Sequence, residues 1–175
     1  TDLNFFLIYG ENEGFKNQII KNILSIGFNE NIIRYDESDI INKSDLFTSE
    51  IKNKSFFDNK KIIIISRATD KINKFLEDFF DTKLEDTRII VNAGLLDKKS
   101  KLRNIFEKSK TLVCIPFYAD DNLTLTKLAS FFFKKKKISI SSENLNLIIE
   151  RCRGSRESLK NELLKIESFA KIKKN

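Results

Sequence analysis

The sequence predicts an α/β protein, with a five-stranded parallel sheet over residues 1–120 and a small three-helix domain over residues 121–175. Three observations carry that expectation. Short apolar runs alternate with stretches of helical periodicity, the pattern of successive βαβ units. The runs at 62–65 and 88–91 are nearly continuous and β-branched instead of alternating, as strands covered on both faces require. Every segment after the polar break Asp120-Asp121-Asn122 has helical periodicity.

Taken in order, residues 5–9 form the first strand, and Phe15, Ile19, Ile20, Ile23 and Leu24 recur at helical spacing until Gly27. Residues 31–35 make a short second strand, and 39–49 a helix with Ile40, Ile41, Leu46 and Phe47 as its apolar positions. Asp58-Asn59 is a turn signal before the third strand at 62–65. Residues 71–80 place Ile72, Phe75, Leu76 and Phe79 on one helix face, and the fourth strand ends at Asn92-Ala93-Gly94. Ser100 caps a basic helix carrying Leu102, Ile105 and Phe106. Residues 112–115 form the fifth strand, stopped by Pro116, the only proline. Helices follow at 125–136, 142–151 and 155–171, the last lined by Leu159, Leu163, Ile166 and Ala170. There is no internal repeat.

A chain of 175 residues is long enough to bury a proper core. Its net charge of +7 favours nucleic acid or acidic partners. Ile, Lys, Asn and Phe are heavily used throughout, however, so the charge reflects a general compositional bias more than a built patch. The absence of His removes the commonest general base and metal ligand. Cys114 and Cys152 are far apart and form no CxxC pair, and they read as buried thiols in a reducing compartment. No apolar run approaches the ~18 residues of a membrane span, and no signal-peptide pattern opens the chain. The expectation is a cytoplasmic protein with no membrane partner.

The stretch that organises the chain is Phe5-Phe6-Leu7-Ile8-Tyr9-Gly10-Glu11-Asn12-Glu13-Gly14-Phe15-Lys16-Asn17. A strand, a glycine-bearing loop and a helix are the layout of a phosphate-binding loop, whose template is Gly, four residues, Gly, Lys and Ser or Thr. Gly10 and Lys16 are in register with it. Beside Gly14, the second glycine slot holds Phe15, and the hydroxyl slot holds Asn17. A working loop closes backbone N–H groups around phosphate oxygens at that glycine, and its hydroxyl reaches Mg²⁺. An NTPase of this layout also needs carboxylates at the end of the third strand. Here that strand ends in Ser66-Arg67, and a guanidinium at the metal position repels the ion. Gly10, Gly14, Phe15, Lys16, Asn17, Ser66 and Arg67 therefore read as a degenerate nucleotide site, with no catalytic residue, no metal and no cofactor expected. The other reading of the same stretch is an ordinary strand–turn–helix.

Two further positions invite comparison with a nucleotide site. Asn92 ends the fourth strand, where related ATPases keep a polar residue that senses the γ-phosphate, although Asn beside Gly is also ordinary turn chemistry. Gly154-Ser155-Arg156-Glu157 opens the last helix, where such folds place an arginine against phosphate. The arginine slot holds Glu157, with Arg156 one position early, and Ser155 explains the stretch equally as a helix cap.

Taken together, Phe6-Leu7-Ile8-Tyr9-Gly10-Glu11, Ser55-Phe56-Phe57-Asp58-Asn59-Lys60-Lys61, Thr87-Arg88-Ile89-Ile90-Val91-Asn92-Ala93-Gly94, Leu96-Asp97-Lys98-Lys99-Ser100-Lys101-Leu102 and Gly154 with Asn161-Glu162-Leu163 resemble the delta subunit of the bacterial DNA polymerase III clamp loader. The resemblance implies a RecA-like AAA+ domain at 1–120 and a helical lid at 121–175, with no ATPase activity of its own. It also implies that the family's third, helical collar domain lies beyond this chain. In that family a short helix before the third strand carries a hydrophobic wedge that enters the sliding clamp and opens the ring. The matching residues are Lys52, Ser55, Phe56 and Phe57, with Lys52 where glutamine is frequent and Phe56 in place of leucine. Neighbouring helical residues point about 100° apart, so Phe56 and Phe57 cannot share one core stripe, and one exposed aromatic is a typical interface anchor. Burial of both rings in a turn is the alternative. The implied partners are the sliding clamp (the beta subunit), the gamma/tau and delta-prime subunits, and primer-template DNA through the assembly.

Three other readings compete. One is an active P-loop ATPase or nucleotide kinase with a divergent loop. Another is the sister delta-prime subunit, disfavoured because its zinc-binding cysteine cluster is missing and Lys108-Ser109-Lys110-Thr111 stands where its Ser-Arg-Cys motif belongs. The last is a nucleic-acid-binding module acting through Lys134 to Lys137 and Lys171 to Lys174, lysines that also read as solvated helix ends offsetting the helix dipole.

Overall fold

The computed structural model of the protein describes residues 3–24, 31–52, 60–82, 84 and 86–172. The chain divides into two compact units, Thr1–Glu11 with Gln18–Phe117 and Asn12–Asn17 with Tyr118–Asn175. The first unit is built on five strands, β1 (Phe5–Tyr9), β2 (Ile32–Asp36), β3 (Lys61–Ala68), β4 (Thr87–Ala93) and β5 (Leu112–Pro116). They lie in the order β2-β3-β4-β1-β5, and every pair is parallel. Parallel neighbours need crossover connections, and the helical segments between strands supply them: α1 (Glu13–Ile19, continued by a π turn at Ile20–Leu24), α2 (Glu37–Asn42), α3 (Ser44–Lys52), α4 (Asn73–Phe80) and α5 (Lys101–Lys108).

Ile62 to Ile65 in β3 and Ile89 to Val91 in β4 are fully buried, which is why these strands read as unbroken apolar runs. Leu7, Ile63, Ile65, Ile89 and Val91 pack with Ile72, Leu76, Leu102 and Phe106 in one core. Each such side chain withdrawn from water contributes about 1.5–3 kcal/mol before chain entropy is counted. Phe80 meets both Phe5 and Phe106 edge-on, with ring centroids 5.3 and 5.6 Å apart.

The helix expected over 39–49 is two helices. Asp36 and Asp39 form a capping box that starts α2 two residues early, and Lys43, with φ −136°, ends it before α3 begins at Ser44. Cys152 is buried, but Cys114, expected to be buried as well, is only half so. Burial nevertheless pushes the Cys114 thiol up to about 11, reinforced by the Glu107 carboxylate against the opposing pull of Arg103.

In the second unit, α6 (Asn122–Lys136), α7 (Ser142–Cys152) and α8 (Arg156–Ile172) enclose Leu125, Ala129, Phe133, Ile149, Cys152, Leu159 and Leu163. Asp121, Ser141 and Ser155 cap the three N-termini, each accepting a backbone N–H three residues on. Lys137 and Arg153 adopt left-handed conformations at the ends of α6 and α7. The Glu167 carboxylate takes both Lys136 and Lys171 at 2.9 Å, contacts that hold it below the ordinary carboxylate range.

Asp70 secures the start of α5 from outside that helix. Its carboxylate accepts Ser100 Oγ at 2.7 Å and the Lys101 and Leu102 amides at 3.0 Å each. Desolvation pulls its pKa upward, but these hydrogen bonds outweigh it and hold the carboxyl below its usual value. A depressed carboxylate stabilises the fold above its unfolded pKa near ~3.9 and stops doing so as pH falls through the folded value. Asp70→Asn should therefore lower stability at pH 7 by roughly 1 kcal/mol. In urea melts across a pH series, the gap to the parent protein should close as the pH drops below about 4.

Candidate functional site

The carboxyl ends of the strands in an open parallel sheet form the usual ligand crevice, at the point where chain connections leave in opposite directions. In the first unit that point lies between β1 and β4. β1 continues towards β2 on one side, and β4 towards β5 on the other. Tyr9 stands opposite Ala93 there, the Gly10 amide donates to the Gly94 carbonyl at 2.9 Å, and the Phe117 amide donates to the Tyr9 carbonyl at 2.7 Å. Gly10 has φ +119°, and a Cβ on it would stand 2.1 Å from the Phe117 carbonyl oxygen. The glycine that matches the phosphate-loop template is thus demanded by its own backbone surroundings, with or without a phosphate. Asn92, opposite Ile8, has a buried Oδ1 with no hydrogen-bond partner.

At the end of β3 the ladder slips by one residue between Ile65 and Ala68, a bulge in which Arg67 takes the left-handed conformation at φ +55°. Ser66 lies opposite Asp36 in β2, and the Arg67 guanidinium pairs with the Asp36 carboxylate while its side chain stays 80% exposed. The Glu37 carboxylate accepts both the Thr69 amide, at 2.7 Å, and its hydroxyl, at 2.9 Å. The acids adjoining this strand end are therefore committed to neighbours within the sheet unit. Among the described residues no group of three or more Cys, Asp or Glu is placed to hold a metal ion.

The rest of the loop motif belongs to the helical unit. Asn12 is buried and starts α1: its carbonyl accepts the Phe15 and Lys16 amides at 3.1 and 3.0 Å, and its Oδ1 also accepts from Phe15. Its Nδ2 donates to the Tyr118 carbonyl at 3.0 Å and to Asp120 Oδ2 at 2.9 Å. Arg156, the first residue of α8, donates from Nε and NH2 to the two oxygens of the same Asp120 carboxylate, at 2.8 and 2.6 Å. Its guanidinium lies 3.9 Å from the centre of the Phe15 ring. Gly14 packs against the start of α8, where a Cβ would come within 2.7 Å of the Glu157 amide nitrogen. The wholly buried Lys16 ammonium pairs with Glu13 at 2.6 Å, and Asn17 is exposed. Gly154, at φ +77°, lets the Asp120 amide donate to its carbonyl at 3.1 Å.

Chemically, several groups that a phosphate loop would offer to an anion have internal partners. The Phe15 and Lys16 amides are taken by Asn12, the lysine ammonium by Glu13, and the Arg156 guanidinium by Asp120 and an aromatic face. Sequence reasoning singled out Phe15, Lys16 and Arg156 but missed Asn12 and Asp120. An Asn three residues before Phe15 is a helix-cap signal that was there to be read, whereas Asp120 looked only like part of a polar break.

Of the wedge positions, Lys52 is exposed at the end of α3, and Ser55, Phe56 and Phe57 lie outside the described residues. The flanks are anchored. Phe47 and Ile51 bury one face of α3, and Lys61, at the start of β3, sends its nearly buried ammonium back to the Glu50 carbonyl and carboxylate.

A family model described as DNA polymerase III, delta subunit, matches residues 6–116, well over half of the chain. No curated protein matches it. Among solved structures, the Bacillus subtilis DNA clamp loader delta protein aligns at a TM-score of 0.59 and 16% identity, over 97% of this chain and 54% of that one. The Thermotoga maritima RuvB Holliday junction branch migration motor aligns at 0.61 and 13% identity, over 98% of this chain and 56% of that one. These likenesses establish a shared fold, and the chain spans a little over half the length of either structure.

Because Asp120 is almost entirely buried, removing its cation leaves an uncompensated charge. Arg156→Ala should cost roughly 3 kcal/mol of stability in urea unfolding, and Arg156→Lys should recover only part of it, since a single ammonium cannot make the two parallel bonds.

Proposed function

The chain belongs to the DNA polymerase III delta-subunit family, and from that premise we propose that it serves in a clamp loader, binding and opening the sliding clamp during DNA replication without hydrolysing ATP itself. The beta subunit is the target, the gamma/tau and delta-prime subunits are the partners, ATP hydrolysis falls to partner subunits, and primer-template DNA is reached through the assembly. The observation that carries this reading is the family match over residues 6–116, which includes the segment between α3 and β3. Phe56 and Phe57 are the anchors, with Ser55 and Lys52 beside them. An aromatic pair set between two secured flanks suits a protein interface better than it suits chemistry.

The absence of catalysis is supported by the internal pairing of the loop. To receive a triphosphate, Arg156 would have to leave Asp120, and Lys16 would have to leave Glu13. The first exchange strands the nearly buried Asp120 carboxylate, and among the described residues the acids beside the end of β3, Asp36 and Glu37, are paired with Arg67 and Thr69.

A pull-down with immobilised sliding clamp tests the reading. The parent chain should be retained, and Phe56→Ala with Phe57→Ala should lose at least about tenfold in affinity, the usual scale for truncating a central aromatic anchor. Equal retention of the double variant would refute the wedge assignment.

A further inference from the structure

Helix α6 carries a second surface that the clamp reading does not use. Its buried stripe is Leu125, Ala129 and Phe133. At 100° per residue, the direction opposite that stripe is occupied by Lys127, Phe131, Lys134 and Lys135, with Leu123 and Leu128 at its margins. All six are exposed, Phe131 at 68%, and no acidic side chain lies among them. Lys136, one position on, turns the other way to pair with Glu167, whereas among the described residues Lys127, Lys134 and Lys135 form no ion pair. The dipole of α6 accounts for lysines in the last turn but not for Lys127, which lies in the middle of the helix.

We propose that this face binds single-stranded nucleic acid directly, with the lysines on backbone phosphates and the Phe131 ring as a stacking platform for a base. Lys127 and Lys135 stand one turn to either side of Phe131, about 6 Å each way along the axis. A strand crossing the helix there meets a cation, an aromatic face and a cation in succession, the combination that holds single strands without reading sequence. A lipid surface fits less well. The apolar stripe of α6 is spent on the core, and what faces outward is too narrow and too interrupted by lysine for insertion. The proposal is independent of the clamp reading, because its test contains no clamp.

The test is fluorescence anisotropy of the whole chain with a labelled oligothymidylate roughly 15 nucleotides long, between about 50 and 200 mM salt. Phe131→Ala should bind about tenfold more weakly with the salt slope unchanged, since it removes stacking and no charge. Lys127→Gln, Lys134→Gln and Lys135→Gln together should flatten the slope of log affinity against log salt by about 2, at roughly 0.7 per phosphate contact. All four positions are exposed, so circular dichroism should be the same for every variant. The proposal is overturned if the parent fails to bind at the lowest salt, if Phe131→Ala binds as well as the parent, or if polyglutamate or phosphatidylserine vesicles compete as well as unlabelled oligonucleotide.

Discussion

Both oxygens of Asp120 meet the Arg156 guanidinium at 2.6 and 2.8 Å, and the organisation of the helical unit follows from where that charge pair sits. Two nearly buried charges are costly to desolvate, and they hold together only when their remaining bonding capacity is met. Here Asn12 supplies a further donor to the carboxylate, and the Phe15 ring receives the face of the guanidinium. One constraint therefore ties three distant pieces of sequence, residues 12–15, 118–120 and 154–157, into a single arrangement. The glycines at 14 and 154 are consequences of it, since a side chain at either would collide with the backbone brought close.

This arrangement gives the template residues a different meaning. Gly10 and Lys16 match a phosphate loop by position, yet Gly10 is required by the Phe117 carbonyl, and Lys16 is neutralised within its own helix turn. Phe15 does more than obstruct, because its ring is a partner for the cation that would otherwise be free for an anion. At the end of β3 the same holds for Arg67, whose charge is turned onto Asp36 through a bulge.

Much of the fold was legible because a strand buried on both faces leaves little choice of residue. Ile62 to Ile65 could hardly read otherwise, and Ser100, Pro116 and Asp121 punctuate the elements they bound. The division between α2 and α3 was not legible, since no glycine or proline marks it and only the conformation of Lys43 breaks the helix. The site was half legible. Local spacing drew attention to the loop at 10–17, but the Asn12–Asp120 contact joins residues 108 positions apart, and single-sequence periodicity carries no information at that range.

The Phe15 and Lys16 amides, the Lys16 ammonium and the Arg156 guanidinium are already occupied by the protein itself. Equilibrium dialysis of the chain against labelled ATP with Mg²⁺ measures this most directly. The account predicts no saturable retention of nucleotide. Stoichiometric, Mg²⁺-dependent binding that disappears in Lys16→Ala would contradict it.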